Sequence, residues 1–201
     1  MISNYRETAL MKSKIINVEP EYIYYLSEGT AQLWELHSDG TEILISVLKA
    51  DDAIRLKNVN FNSVYEFRAV KEDAFFLVYK WDPVNSLEEK YFLLNKVTTT
   101  LMRTELLNLI KRKKFVRDRL ISLLQYLVYE HGEGWKNNYS VIQLLLTHEE
   151  IASLILSTRT TVTRILNELK KENLITYLHG HICLREDFIE NSDNYESSGV
   201  V

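Results

Sequence analysis

The stretch LTHEEIASLILSTRTTVTRILNELKKENLI, residues 146–175, decides the reading of this chain. Thr147 stands three residues before Glu150, so a threonine hydroxyl can accept one free amide while the glutamate reaches back to another. This capping box predicts a short helix starting at Thr147. Leu156 and Ser157 leave room only for a turn, and Ser157 or Thr158 then caps a second helix running to about Asn173. A short helix, a tight turn and a longer helix form a unit that reads DNA. At about 100° per residue from Arg159, the side chains of Thr160, Thr163, Arg164 and Asn167 fall within an arc of about 140°. Val162, Ile165, Leu166 and Leu169 fill the opposite side.

The polar face carries arginine, the side chain best matched to the O6 and N7 of guanine in the major groove. Threonines beside it can meet a thymine methyl or a phosphate oxygen, and the helix N-terminus favours phosphate. The predicted DNA-facing set is Thr147, Ser157, Thr158, Arg159, Thr160, Thr161, Thr163, Arg164 and Asn167. A solvated amphipathic helix in any small helical domain is the plain alternative, and the capped first helix and tight turn weigh against it. Residues 176–184 follow as a hairpin turning near His179-Gly180-His181, a wing whose histidines approach the DNA backbone. His179, His181 and Cys183 share one strand face without a fourth ligand, so no metal is expected there.

Upstream the pattern changes. From residue 86 to about 111, Leu87, Tyr91, Leu94, Val97, Leu101, Glu105 and Asn108 recur at intervals of three and four, predicting one long helix. Its apolar stripe outruns its own domain and calls for a second copy to cover it, unless the β domain alone does so. The basic run Lys111 to Lys114 marks a junction, Asp118 is expected to cap a further helix through Tyr129, and glycines at 132 and 134 to stop it. Residues 135–146 read as a short strand or loop. Residues 22–79 instead hold runs rich in Val, Ile, Tyr and Phe, predicting strands near 22–26, 30–37, 41–48, 65–70 and 75–79. Gly29 and Ser38-Asp39-Gly40 sit between them as turn signals, and Pro20 and Pro83 lie at the margins.

Composition sets limits. The 201 residues suffice for two small domains, and 46% hydrophobic with 26% charged residues is an ordinary globular balance. A net charge of −4 argues against coating DNA without regard to sequence. The single cysteine excludes an internal disulfide and a cysteine-ligated cluster within one chain. No apolar run reaches a membrane span, residues 1–14 have no signal-peptide character, and the tail 191–201 reads as frayed. P-loop, nucleophile elbow and metal-ligand cluster are all missing, so an enzyme is not expected. A cytoplasmic protein, or a plastid stromal one given the abundance of Asn, Lys, Ile and Tyr, fits these features.

On STRTTVTRILNELKKENLI (157–175) the chain resembles the Crp/Fnr superfamily, and is most similar to the global nitrogen regulators of cyanobacteria and algal plastids. LSEGTAQLWELHSDGTEILISVL (26–48) resembles the β-roll of that superfamily, and RTELLNLIKRKKFVRDRLISLLQYLVYEHG (103–132) its dimer helix, hinge and following helix. The resemblance implies an α+β fold: an antiparallel, cyclic-nucleotide-binding-like β-roll over 1–85, a dimerisation helix and hinge over 86–114, and a winged helix-turn-helix over 115–190. It also implies a homodimer on pseudo-palindromic promoter DNA, with Arg159 and Arg164 as base readers and RNA polymerase as a partner.

The sensor half departs from the pattern. Cyclic-nucleotide binders use a Gly-Glu pair followed by Arg-Ser, whereas the matching region here is Ala53-Ile54-Arg55-Leu56-Lys57, so cyclic AMP is not expected. No cofactor is required. The effector implied by the nitrogen-regulator resemblance is 2-oxoglutarate, held by an arginine and a glutamate. Glu105 matches the glutamate, Thr100 stands where the arginine belongs, Arg103 lies close by, and the loop 57–63 looks shortened. Arg55, Lys57 and Arg68 are further cations for a dicarboxylate, with solvated surface charge the plainer explanation. The expected effector set is Arg55, Arg68, Arg103 and Glu105, and a degenerate sensor is the alternative. A small-molecule or protein-interaction module is the competing function.

Overall fold

A computed structural model describes residues 5–10, 15–56, 63–70, 72–81, 87–136 and 138–190. The expectations for Lys57, most of the loop 57–63, Pro83, the helix start at Ser86 and the tail 191–201 lie outside the described residues, as do residues 1–4 and 11–14 of the N-terminal segment. The chain divides into two units, Met1–Asn108 and Leu109–Val201.

The first unit holds β1 (Tyr5–Leu10), β2 (Ile15–Asn17), β3 (Tyr22–Glu28), β4 (Thr30–His37), β5 (Glu42–Lys49), β6 (Ala53–Ile54), β7 (Ser63–Ala69), β8 (Ala74–Lys80) and most of α1 (Leu87–Arg112). The strands form two antiparallel four-stranded sheets, ordered β1-β8-β3-β6 and β2-β7-β4-β5. Tyr24, Leu26, Phe76 and Val78 from the first sheet and Leu33, Leu48 and Phe67 from the second bury one shared core. Phe67 stacks on Phe76 at 4.6 Å, and Tyr24 meets Phe67 edge-on at 5.3 Å. The other face of the first sheet is apolar too: Ile23 and Tyr79 cluster with Ala53 and with Leu93 of α1. Strands β3 and β8 are therefore covered on both sides where Ile23 and Tyr79 meet α1, while Phe75 near the start of β8 stays exposed.

Three strands of this unit were not expected. β1 forms by pairing along β8, from Tyr5 opposite Tyr79 to Leu10 opposite Ala74, and β2 and β6 are too short to show a period. The 38–40 turn closes as anticipated, with Gly40 N–H donating to the His37 carbonyl at 3.0 Å and the Asp39 carboxylate accepting from Thr41 N–H at 2.9 Å.

The second unit contains α2 (Val116–His131), β9 (Gly132–Lys136), β10 (Tyr139–Ile142), α3 (His148–Leu154), α4 (Arg159–Lys171), β11 (Ile175–Leu178), β12 (His181–Arg185) and α5 (Glu186–Glu190). Its sheet runs β11-β12-β10-β9. Two local expectations need correction. Asp118 does not cap α2: the N-cap is Phe115, with no side-chain hydrogen bond, and Asp118 sits in the first turn where its charge suits the helix dipole. Gly132 does end α2, but in an extended conformation that opens β9, and the reason for glycine is closeness: a Cβ there would lie 2.3 Å from the Val128 carbonyl oxygen. Leu120, Leu123, Leu124 and Leu127 bury the inner face of α2. Among the described residues no helix is long and apolar enough to cross a membrane.

Candidate nucleic-acid interface

Two capped helix starts build this surface. Thr147 accepts from the Glu150 amide at 3.2 Å while the Glu150 carboxylate accepts from the Thr147 amide at 2.6 Å, so both halves of the anticipated box are present. Thr158, rather than Ser157, caps α4: its hydroxyl accepts from Thr161 N–H at 3.2 Å. Between them α3 closes with Ser157 N–H donating to the Ala152 carbonyl at 2.9 Å and Leu156 N–H to that of Ser153 at 3.2 Å. That pairing is a Schellman ending, and it places Leu156, not a glycine, at φ 52°. The same ending closes α4, where Asn173 takes φ 55° and Leu174 N–H reaches the Leu169 carbonyl at 3.0 Å.

α3 packs on α4. Val162, Ile165, Leu166 and Leu169 are all buried, the side assigned to the core from the periodicity. Arg159, Thr160, Arg164 and Asn167 are exposed on the other side, with Thr163 half-buried among them and Thr161 half-buried at the margin of that face. Arg159, Thr160, Thr163, Arg164 and Asn167 line one open cleft together with Glu168 and Lys171. Lys171 lies within the polar arc on a helical wheel, but its place at the C-terminal end of α4 keeps it out of the set expected from sequence.

The side chains on this face are held by neighbours the sequence does not reveal. The Arg164 guanidinium donates to the Glu168 carboxylate at 2.5 Å, one turn along. Glu168 also faces Arg117 of α2 at 3.6 Å, and Arg117 donates to Glu172 at 2.6 Å. His148, the first residue of α3, places Nδ1 2.8 Å from the Thr163 hydroxyl, so the two helices meet through a hydrogen bond beside the arginine face.

The wing forms with His179 at φ 49° and Gly180 at φ 87°, paired positive angles that define a tight type I′ hairpin and suit glycine at the second position. Lys170 of α4 lies 5.5 Å from the Tyr177 ring, linking recognition helix to wing. His181 Nδ1 is 2.9 Å from the Ile142 carbonyl oxygen. Cys183 is buried, and burial pushes its thiol up from the usual range. Among the described residues no cluster of three His, Cys, Asp or Glu side chains is arranged to hold a metal.

The expected effector residues do not converge on one set of partners. Arg55 stacks over Trp81 at 5.0 Å. Arg68 donates to Glu66 at 2.5 Å and Glu42 at 2.8 Å while lying over the Trp34 ring at 4.6 Å; the bonds to its carboxylates hold its guanidinium above its ordinary range. Arg103 pairs with Asp52, and Glu105 is exposed on α1 and accepts from Asn108 at 3.3 Å.

Residues 118–186 match the Crp-like helix-turn-helix domain. The chain is 26% identical over 171 residues to the global nitrogen regulator of Nostoc sp., covering 78% of this chain and 73% of that protein. It is 24% identical over 189 residues to the global nitrogen regulator of Synechocystis sp., covering 84% and 80%. In fold it is similar to a CRP/FNR-family transcriptional regulator from Thermus thermophilus, with a TM-score of 0.71 at 18% identity over 96% of this chain and 99% of that one. A cyclic nucleotide-binding domain containing protein from Listeria monocytogenes superposes with a TM-score of 0.74 at 16% identity over 91% and 90%.

Proposed function

We propose that this chain, a transcription regulator of the Crp/Fnr type, binds pseudo-palindromic promoter DNA as a homodimer and governs recruitment of RNA polymerase at nitrogen-related genes. The observation that carries the DNA-reading step is the exposed face of α4. Arg159, Thr160, Arg164 and Asn167 stand together on a capped helix whose other side is wholly buried. Arg159 and Arg164 read guanine edges, Thr160, Thr163 and Asn167 fill the groove between them, and Thr147, Ser157, Thr158 and Thr161 approach phosphates near the two helix starts.

Pairing rests on α1. Leu87, Tyr91, Leu94, Leu101 and Met102 are exposed on the isolated chain, at 73%, 67%, 47%, 64% and 66%. Val97, expected in the stripe, packs instead toward the β domain with Leu93; with Thr98 in its place, positions 87, 91, 94, 98, 101, 105 and 108 follow alternating steps of four and three, the spacing of a helix that packs against a copy of itself. The β domain covers the opposite side, where Leu93 and Thr100 are buried. Two-fold pairing then repeats the recognition helix on the second half-site. The nitrogen assignment rests on what the curated relatives are called.

Selection of bound sequences from random duplex DNA tests the reading. A two-fold motif with GT and AC half-sites is expected from the native chain, and loss of the motif from the double variant Arg159→Ala/Arg164→Ala. Equal binding to every duplex by the native chain refutes it. The competing reading, a module whose helix-turn-helix contacts protein, requires partner binding to survive that double substitution.

A further inference from the structure

The residues that receive an acidic effector in expectation are already occupied from within. The turn after β5 offers adjacent carboxylates, Asp51 and Asp52, and α1 meets them with Lys96, Thr100 and Arg103, spaced four and three residues apart on one face. Asp51 pairs with Lys96 and accepts from the Tyr25 hydroxyl at 2.9 Å. Lys96 above all holds the Asp51 carboxyl below its usual range, while burial and then Asp51 push the Tyr25 hydroxyl up to about 12.

Asp52 is set deeper, 2% exposed. Its Oδ2 accepts from Arg103 Nη2 and from Lys49 N–H at 2.8 Å, and its Oδ1 lies 3.1 Å from the Thr100 hydroxyl, which itself accepts from Ala53 N–H at 3.1 Å. The turn is strapped in place by reciprocal bonds to β3: Leu26 N–H donates to the Asp52 carbonyl and Asp51 N–H to that of Leu26, both at 2.8 Å. Asp51 is held at φ 81°, a conformation aspartate tolerates better than most side chains.

We infer that Arg103, Thr100 and the Lys49 amide form a carboxylate-binding site whose ligand is the chain's own Asp52, so that a dicarboxylate such as 2-oxoglutarate is excluded from Arg103. An external carboxylate gains entry only by displacing Asp52, and that leaves a like charge desolvated beside the newcomer with its own partners lost. Among the described residues, Arg68 is likewise engaged from within, by Glu42 and Glu66, and Arg55 lies over the Trp81 ring. The site stands independently of the DNA-reading proposal, because its test reads the stability of the sensor unit and not promoter binding.

The test is chemical rescue in the full chain. Asp52→Ala removes the internal ligand and opens a carboxylate-sized space beside the Arg103 guanidinium. Its thermal midpoint is expected to fall by roughly 10 °C, and sodium formate at tens of millimolar should recover part of that loss where matched sodium chloride does not. The native midpoint should respond no differently to the two salts, and calorimetric titration with 2-oxoglutarate should show no binding. Asp52→Asn fills the space with an uncharged group, so it should be destabilised yet insensitive to formate, an outcome that a merely structural turn does not predict. Should Asp52→Ala fail to fold, Asp52→Asn combined with Arg103→Met must be more stable than Asp52→Asn alone, since it removes a half-buried guanidinium that has lost its Asp52 carboxylate. Formate and chloride acting alike on Asp52→Ala, native stability in Asp52→Asn, no gain in the double variant, or 2-oxoglutarate binding that vanishes in Arg103→Met would each overturn the assignment.

Discussion

Truncating Leu101 to alanine should dissociate the proposed dimer while leaving the single chain nearly as stable as before. Leu101 projects from the uncovered side of α1 and is 64% exposed without a partner. Fully burying a leucine contributes about 1.5–3 kcal/mol, so covering that open fraction contributes about 1–2 kcal/mol in each protomer. Two-fold symmetry counts it twice, for about 2–4 kcal/mol or a roughly 30- to 1,000-fold rise in the dimer Kd. The cost to the isolated chain should stay within about 0.5 kcal/mol, because little is packed against this side chain there. Sedimentation velocity across a wide concentration range measures the first quantity and urea unfolding at low concentration the second. Promoter binding should weaken along with dimerisation. If Leu101→Ala sediments as the native chain does at every concentration, α1 does not pair through this stripe; if it instead unfolds easily as a monomer, the stripe belongs to an internal core.

Other perturbations separate the remaining contributions. Glu105→Leu, at a seam position of the same repeat, should tighten the proposed dimer by replacing a charged side chain with an apolar one there, and sedimentation showing unchanged or weaker association would count against that seam. Thr147→Ala removes the acceptor for the Glu150 amide and should cost about 1 kcal/mol in urea unfolding, whereas no change would mean that water replaces the cap at no cost. Leu156 is held at φ 52°. Glycine there should be more stable than alanine by about 1 kcal/mol, and a preference for alanine would show that the turn is not left-handed in solution. Glu168→Gln releases Arg164 and removes a negative charge from the cleft proposed to face DNA, so fluorescence anisotropy should show roughly fivefold tighter binding to non-target duplex, and unchanged affinity would place Glu168 away from the phosphates.

The helix-turn-helix was readable because its determinants are local. Thr147 with Glu150, and Thr158 with Thr161, lie three residues apart, and one helical period sorts α4 into a buried and an open side. Strands whose side chains carry the core were likewise visible, from Tyr24 to Phe76. What escaped depends on distant partners. YRETAL becomes β1 only against β8, and GEGWK, which reads as a break, becomes β9 only against β10. Phe115 starts α2 without a polar cap, so a capping side chain sought along the sequence falls on Asp118 instead.

The same distinction between local and distant determinants governs the two functional ends of the molecule. A DNA-reading face needs side chains that stay open to solvent, and openness follows from helical angle, which a sequence displays directly. A ligand pocket needs charges left unneutralised by the fold, and that depends on which residues arrive from elsewhere. Arg103 looks available beside its neighbours on α1, yet its carboxylate comes from Asp52, 51 positions earlier. Arg68 is claimed by Glu42, 26 positions away. Counting cations along the chain therefore overstates the capacity of the sensor unit for an acidic effector, whereas both arginines of α4 remain exposed as their helical angle anticipates. Arg164 is itself exposed and pairs there with a half-buried glutamate one turn away, an attachment weak enough in water for a phosphate or a guanine edge to displace.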